Sequence, residues 1–230
     1  MRINMDFQQR VLIDTNAQDW VETRANGVRR RMLDRDGAED GRATTIVSFA
    51  PDSYFPPHTH TGGEEFLVLE GTFSDNTGDF NAGMYVRNPI GTRHTPFTKD
   101  GCTIFMKLCQ MDATDQALVR IDTALESNWQ QGSVAGMSVL PLHEFGNERV
   151  GMVCWQPGHG YSPDGHLVDG QLVDEHPGGE EILILDGALE DEHGRYPAGT
   201  WLRMPTGSSH TPFSTDGCTL FFKAGHLAGL

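Results

Sequence analysis

The chain has 230 residues, with 17 Lys+Arg against 32 Asp+Glu and a formal net charge of −15. Acidity of this size repels phosphate backbones and anionic bilayers, so neither nucleic acid nor a membrane surface is an expected partner. No run approaches the roughly 20 apolar residues that a spanning helix needs, and the N-terminal MRINMDFQQR lacks an apolar signal core, so a cytoplasmic protein is expected.

In chain order, the first strong segment is RATTIVSFA at 42–50. EFLVLEG (65–71), GMYVRNP (83–89) and CTIFMKLC (102–109) follow. All are short and rich in branched and aromatic residues, as strands are. Turn signals punctuate them: Asp75-Asn76-Thr77-Gly78, Asn88-Pro89 and Lys99-Asp100-Gly101. Residues 112–128 (DATDQALVRIDTALESN) read as a short helix or a linker. Of the four cysteines, Cys102, Cys109, Cys154 and Cys218, none forms a CxxC pair, so reduced thiols are expected rather than a zinc ribbon or redox motif. Alternation places Cys102 on one strand face with Ile104, Met106 and Leu108.

The same series then repeats. HTGGEEFLVLEG from His60 returns as HPGGEEILILDG from His176, and GTRHTPFTKDGCTIFMK from Gly91 returns as GSSHTPFSTDGCTLFFK from Gly207, at a constant offset of 116 residues. Upstream the likeness continues more weakly. Trp20 and Gly27 match Trp129 and Gly136, and Ala50-Pro51 matches Gln156-Pro157, so the second copy carries about ten extra residues between Pro157 and Asp174. The expected organisation is therefore all-β, with two tandem barrels at 1–115 and 116–230.

The chemistry gathers around His58, His60, Glu64 and His94. The first three are even-numbered, so an extended strand projects them to one side, although Gly62 and Gly63 can interrupt it. An antiparallel neighbour can bring His94 alongside. Three imidazoles and a carboxylate suit a borderline divalent ion, with zinc first and iron, manganese or nickel as alternatives. Buried without a cation, such groups would cost several kcal/mol.

These residues resemble the cupin superfamily, twice along the chain. His58, His60, Glu64 and Gly71 match the end of the first cupin motif, with Asp52 in place of its opening Gly. Gly83, Pro89, Gly91 and His94 match the second, with Thr98 in place of its final Asn. The wording PPHTHTGGEEFLVLEG and RNPIGTRHTPF is similar to the ChrR-like branch, named for the cupin domain of an anti-sigma factor. The resemblance implies a jelly-roll (double-stranded β-helix) bicupin with metal at His58, His60, Glu64 and His94, and a homodimer. It also implies a sensor or regulatory role, or alternatively a metal-dependent dioxygenase acting on a small diketone or aromatic ketone. A sigma factor is a partner by family analogy alone, because the anti-sigma relatives grip it with a separate His-xxx-Cys-xx-Cys domain absent from these residues. A barrel in which the metal is only a structural staple is a third reading.

Copy two keeps His176, Glu180 and His210, with Asp174 where copy one has His58. This set reads either as an altered second metal site or as scaffold, and His159 and His166 of the insertion are spare candidate ligands. Arg87 and its counterpart Arg203 precede each motif proline. They read as structural ion pairs, or as carboxylate-binding groups if they face the interior.

Overall fold

The computed structural model describes residues 1–37, 41–161 and 174–230, whose regular structure is nearly all strand. No α-helix is formed among them. The stretch expected as a helix or linker at 112–128 instead contains the strand Val119–Asp122 and a 3-10 turn at Glu126–Asn128. Val119 and Ile121 are β-branched, and backbone partners on Met84–Asn88 outweigh the weak helical signal. No helix among the described residues is long and apolar enough to cross a membrane.

Packing sorts the chain into two compact units, one of Met1–Met5 with Gln18–Ala124 and one of Asp6–Ala17 with Leu125–Leu230. These packing units depart from a division at residue 115 in two segments. Strand Val11–Asp14 joins the second unit, pairing Val11 with Arg203 and Leu12 with Leu202. Strand Val119–Asp122 joins the first, pairing Val119 with Arg87 and Arg120 with Val86. The two exchanges occupy equivalent registers, so each repeat gives one early strand to the other repeat's sheet edge. Covering a bare edge is the physical reason.

In the first unit the main sheet runs Arg2–Ile3, Val28–Asp36, Ala43–Phe49, Cys102–Leu108, Glu64–Asp75, Met84–Asn88, Val119–Asp122, all antiparallel. A small second sheet pairs His58–Thr59 with Arg93–His94. Period-two alternation sends Phe66, Val68, Val86 and Ile104 into an interior cluster with Val28, Val47, Phe49, Phe73, Phe80 and Cys102. The second unit repeats the plan around Ile182, Ile184, Leu202 and Leu220, with Trp155, Tyr196 and Met204 filling the larger spaces. Cys102, Cys154 and Cys218 are free thiols, and burial pushes those of Cys102 and Cys218 up to about 11.

The opposite sheet face is also buried, and it holds charge. Arg87 donates to Glu65 at 2.8 Å and to Asp115 at 2.5 Å, and Tyr85 donates to Glu65 at 2.7 Å. Arg87 is therefore a structural ion pair, not a group lining the barrel interior. Arg203 lies across from Glu181 in the second unit, donates to the Asp6 carbonyl at 3.0 Å and stacks on Phe7.

Two glycines permit the path into the site. Gly71 has φ 70°, and a Cβ there would sit 2.1 Å from the Gly101 carbonyl oxygen. Gly63 has φ 77°, and a Cβ there would strike Met111 at 2.3 Å. Asp52, standing where the cupin motif has Gly, keeps a left-handed φ of 58°, which Asp tolerates better than most side chains.

Candidate metal centre

The four residues of the first cluster arrive from three directions. His58 lies on the two-residue strand His58–Thr59, directly across from His94. His60 follows at the start of the turn, and Glu64 opens the long strand Glu64–Asp75 of the main sheet. The interruption that Gly62 and Gly63 allow is realised, with strand ending at Thr59 and resuming at Glu64. The chain turns at Thr61-Gly62-Gly63, and convergence of His60 with Glu64 comes from that turn.

The donor atoms nonetheless meet. The three Nε2 atoms are separated by 3.1 Å (His60–His94), 3.2 Å (His58–His94) and 3.3 Å (His58–His60). Glu64 Oε2 lies 3.4 Å from His60 Nε2 and 3.5 Å from His94 Nε2. Metal–ligand bonds of about 2.0–2.2 Å place neighbouring donors about 3.0–3.5 Å apart around a tetrahedral or octahedral ion. The observed spacings fit that shell.

The surrounding hydrogen bonds decide the tautomers. His58 Nδ1 lies 2.9 Å from the Pro56 carbonyl, and His94 Nδ1 lies 2.9 Å from Asp75 Oδ2. His60 Nδ1 lies 2.9 Å from Thr92 Oγ1, whose own proton goes to the Pro89 carbonyl at 2.6 Å. Each partner accepts, so each Nδ1 carries a hydrogen and each Nε2 presents a lone pair inward. Three lone pairs and a carboxylate oxygen then face one another, an arrangement that a cation stabilises. Burial opposes ionisation of Asp75, but hydrogen bonds from His94 and from the Thr77 hydroxyl and amide outweigh it and draw the carboxyl down to about 2. Desolvation, only partly offset by Glu64, lowers the His60 imidazole.

Beside the cluster lies a cavity of about 250 Å³ walled mainly by apolar side chains, among them Val28, Val47, Phe49, Phe73 and Ile104. Met106 and Leu108 also face it, as alternation from Cys102 predicts. Arg30 is the one cationic side chain among its described lining residues.

The second unit places Asp174 across from His210, in the register of His58 and His94. Asp174, His176 and His210 can bring donors within 4.8 Å of one another. Spacing is looser: His210 Nε2 to Asp174 Oδ2 is 4.0 Å, and among the described histidines Glu180 Oε2 lies close to His176 Nε2, at 3.4 Å. The buried His176 Nε2 and Glu180 Oε2 have no hydrogen-bond partner among the described residues. Burial, with Asp174 adding, holds the Glu180 carboxyl well above its ordinary value, and burial with His210 lowers His176 to about 4. Two orphaned lone pairs beside two further donors fit a cation. His159 bonds the Pro157 carbonyl at 3.0 Å and does not line this cavity of about 410 Å³. His166 lies outside the described residues.

The family model of the ChrR cupin-like domain matches residues 8–112 and again 115–228. The chain belongs to the ChrR cupin-like family. Among solved structures, this ChrR cupin-like bicupin is similar to a Nostoc punctiforme PCC 73102 protein provisionally described as a dioxygenase (18% identity, 97% of this chain and 85% of that one, TM-score 0.75). It is also similar to Ylba from Escherichia coli (16% identity, 96% and 93%, TM-score 0.69). The Escherichia coli pirin YhhW, solved in complex with nickel(II), shares the fold as well (12% identity, 94% and 99%, TM-score 0.59). At these identities the likeness is one of fold. No curated protein matches the chain.

Several contributing residues escaped the sequence reading. Asp75 was read only as a turn residue, yet Asp191 stands 116 residues later and likewise contacts its histidine, His210, at 3.2 Å. Repetition of that acid was the available signal. Asn88, Thr92 and Arg120 gave no comparable signal, because their partners are set by strand pairing.

Proposed function

We propose that His58, His60, Glu64 and His94 hold a divalent metal ion and that the first unit is a metal-dependent enzyme for small molecules. The assignment we favour is a dioxygenase acting on a small diketone or aromatic ketone. The supporting observation is the junction of an inward-facing lone-pair cluster with an apolar cavity large enough for such a compound. A redox-active ion bound there would supply a coordination position for oxygen and substrate together. The chain's own residues divide the remaining work. The Nδ1 partners hold the imidazoles in their binding tautomer, the apolar wall excludes water, and Arg30 offers a donor to a substrate oxygen.

The test is oxygen consumption by iron(II)-loaded protein across a panel of diketones and phenolic ketones. Turnover that disappears in His94→Ala supports the reading, and silence with every compound ends it. A regulatory role is the second reading, favoured by the match to the ChrR cupin-like domain. It predicts tightly held zinc, no turnover, and a protein partner recovered with the intact chain. Elemental analysis of untagged, chelator-free protein separates the two, since zinc is redox-silent.

We further propose an altered, weaker metal site at Asp174, His176 and His210, with Glu180 at its margin. A metal content of two ions per chain supports it, and a content of one that persists under excess metal opposes it. A cytoplasmic location suits the free thiols of Cys102, Cys154 and Cys218. A homodimer remains part of the proposal, and light scattering of the purified chain tests it.

A further inference from the structure

We propose that Asn88 and Arg120 are positioning residues that hold Glu64 in the metal centre of the first unit. The inference rests on the metal-binding reading above. Arg120 comes from Val119–Asp122, the strand that repeat two contributes to the first unit's sheet. Its guanidinium lies over the Phe80 ring at 5.2 Å, and Nη1 donates to the carbonyls of Arg87 at 2.9 Å and Val119 at 2.7 Å. These contacts leave Nη2 aimed at Asn88 Oδ1, 2.6 Å away. Asn88 Nδ2 in turn donates to Glu64 Oε2 at 3.1 Å.

Chemistry settles the amide orientation. A guanidinium only donates and a carboxylate only accepts, so Asn88 must show its oxygen to Arg120 and its NH2 to Glu64. The oxygen thus gripped, Oε2, is the one that faces His60 and His94. Asn88 and Glu64 are each 4% exposed, so water cannot replace the contact.

The second unit provides the comparison within the same chain. Met204 stands where the first unit has Asn88, each 24 residues after its glutamate, across from Glu180 and Glu64 respectively. Leu12 occupies the register of Arg120, pairing with Leu202 as Arg120 pairs with Val86. With neither donor in place, Glu180 Oε2 accepts no hydrogen bond among the described residues, and Glu180 falls outside the group of Asp174, His176 and His210. Where the relay is present the carboxylate lies within 3.5 Å of two histidines, and where it is missing it lies that close to one.

The experiment is cobalt(II) titration of the full chain in a His176→Ala background, which silences the second site. Binding is followed by calorimetry and by the visible cobalt spectrum. Asn88→Met and Arg120→Leu, which copy the second unit, should weaken binding about 10- to 100-fold and change the cobalt spectrum as the carboxylate leaves. Asn88→Asp keeps the shape and the Arg120 contact but cannot donate to Glu64. It should weaken binding in the same direction, and it decides the matter if Asn88→Met misfolds. Arg120→Lys, which retains a donor, should recover part of the loss. Unchanged affinity and spectrum in the variants, with cobalt still bound by the background chain, would overturn the positioning role and leave the metal reading intact. A background chain that binds no cobalt overturns both.

Discussion

At the scale of single residues, the site depends on which nitrogen of each imidazole faces inward. Asp75 sets this for His94, and its carboxyl is already committed to Thr77 through two bonds of 2.6 Å. Asp75→Asn replaces an acceptor-only group with one that can also donate. We expect it to weaken zinc binding about 10- to 100-fold, measured by competition with a chromophoric chelator. A local pH dependence follows from burial. His176 titrates near 6.5 in an open chain and near 4 when folded, because burial and then His210 disfavour its charge. Below pH 6.5 the unfolded chain takes up a proton that the folded chain refuses, so this contribution to stability falls as the pH drops toward about 4. Asp75 and Asp191, both drawn to about 2, add losses only below their ordinary value of 3.8. Glu180, raised by burial, shifts stability in the opposite sense, so the His176 contribution is read as a difference: melts of the chelator-treated parent should fall relative to those of His176→Gln from pH 6.5 downward. A flat difference over that range would contradict the burial argument.

At the scale of strands, two features hold the cluster's supporting sheet. Arg87 joins Met84–Asn88 to Glu64–Asp75 through Glu65 and also grips Asp115. Arg87→Ala removes the guanidinium that buried Glu65 and Asp115 share, and we expect a loss of about 3–5 kcal/mol in denaturant unfolding. The expected ion pair and the observed one agree in kind, but alternation alone could not say which face Arg87 takes. Partner choice required the register. Gly71→Ala tests the bend in the long strand. An L side chain pays about 1–2 kcal/mol for left-handed backbone, and contact with the Gly101 carbonyl adds to it. A melt unchanged from that of the parent protein would show that the bend relaxes freely.

At the scale of the molecule, the two units differ in how well they are set up for a metal. The first brings four donors within a common shell, and the second holds three loosely, with Glu180 at their margin and its carboxyl raised by burial. A ligand that binds only folded protein stabilises it in proportion to the logarithm of its concentration over Kd, about 4 kcal/mol at a thousandfold excess. Added zinc should therefore raise the melting of the first unit more than that of the second. Scanning calorimetry of the chelated and metal-loaded chain checks this, and equal shifts of both units would count against the difference drawn here.

Much of the molecule was legible in one dimension. The 116-residue repeat, the strand-rich segments and the set His58, His60, Glu64 and His94 can all be read from the order of residues, because duplication and the two-residue strand period are properties of sequence itself. What the tertiary structure decided is where distant segments pair. It routed Val11–Asp14 and Val119–Asp122 to each other's repeat, turned the chain between His60 and Glu64, and set Asp75, Asn88 and Arg120 around the ligands. Those outcomes depend on hydrogen-bond partners tens of residues apart. Only the folded register brings such partners together.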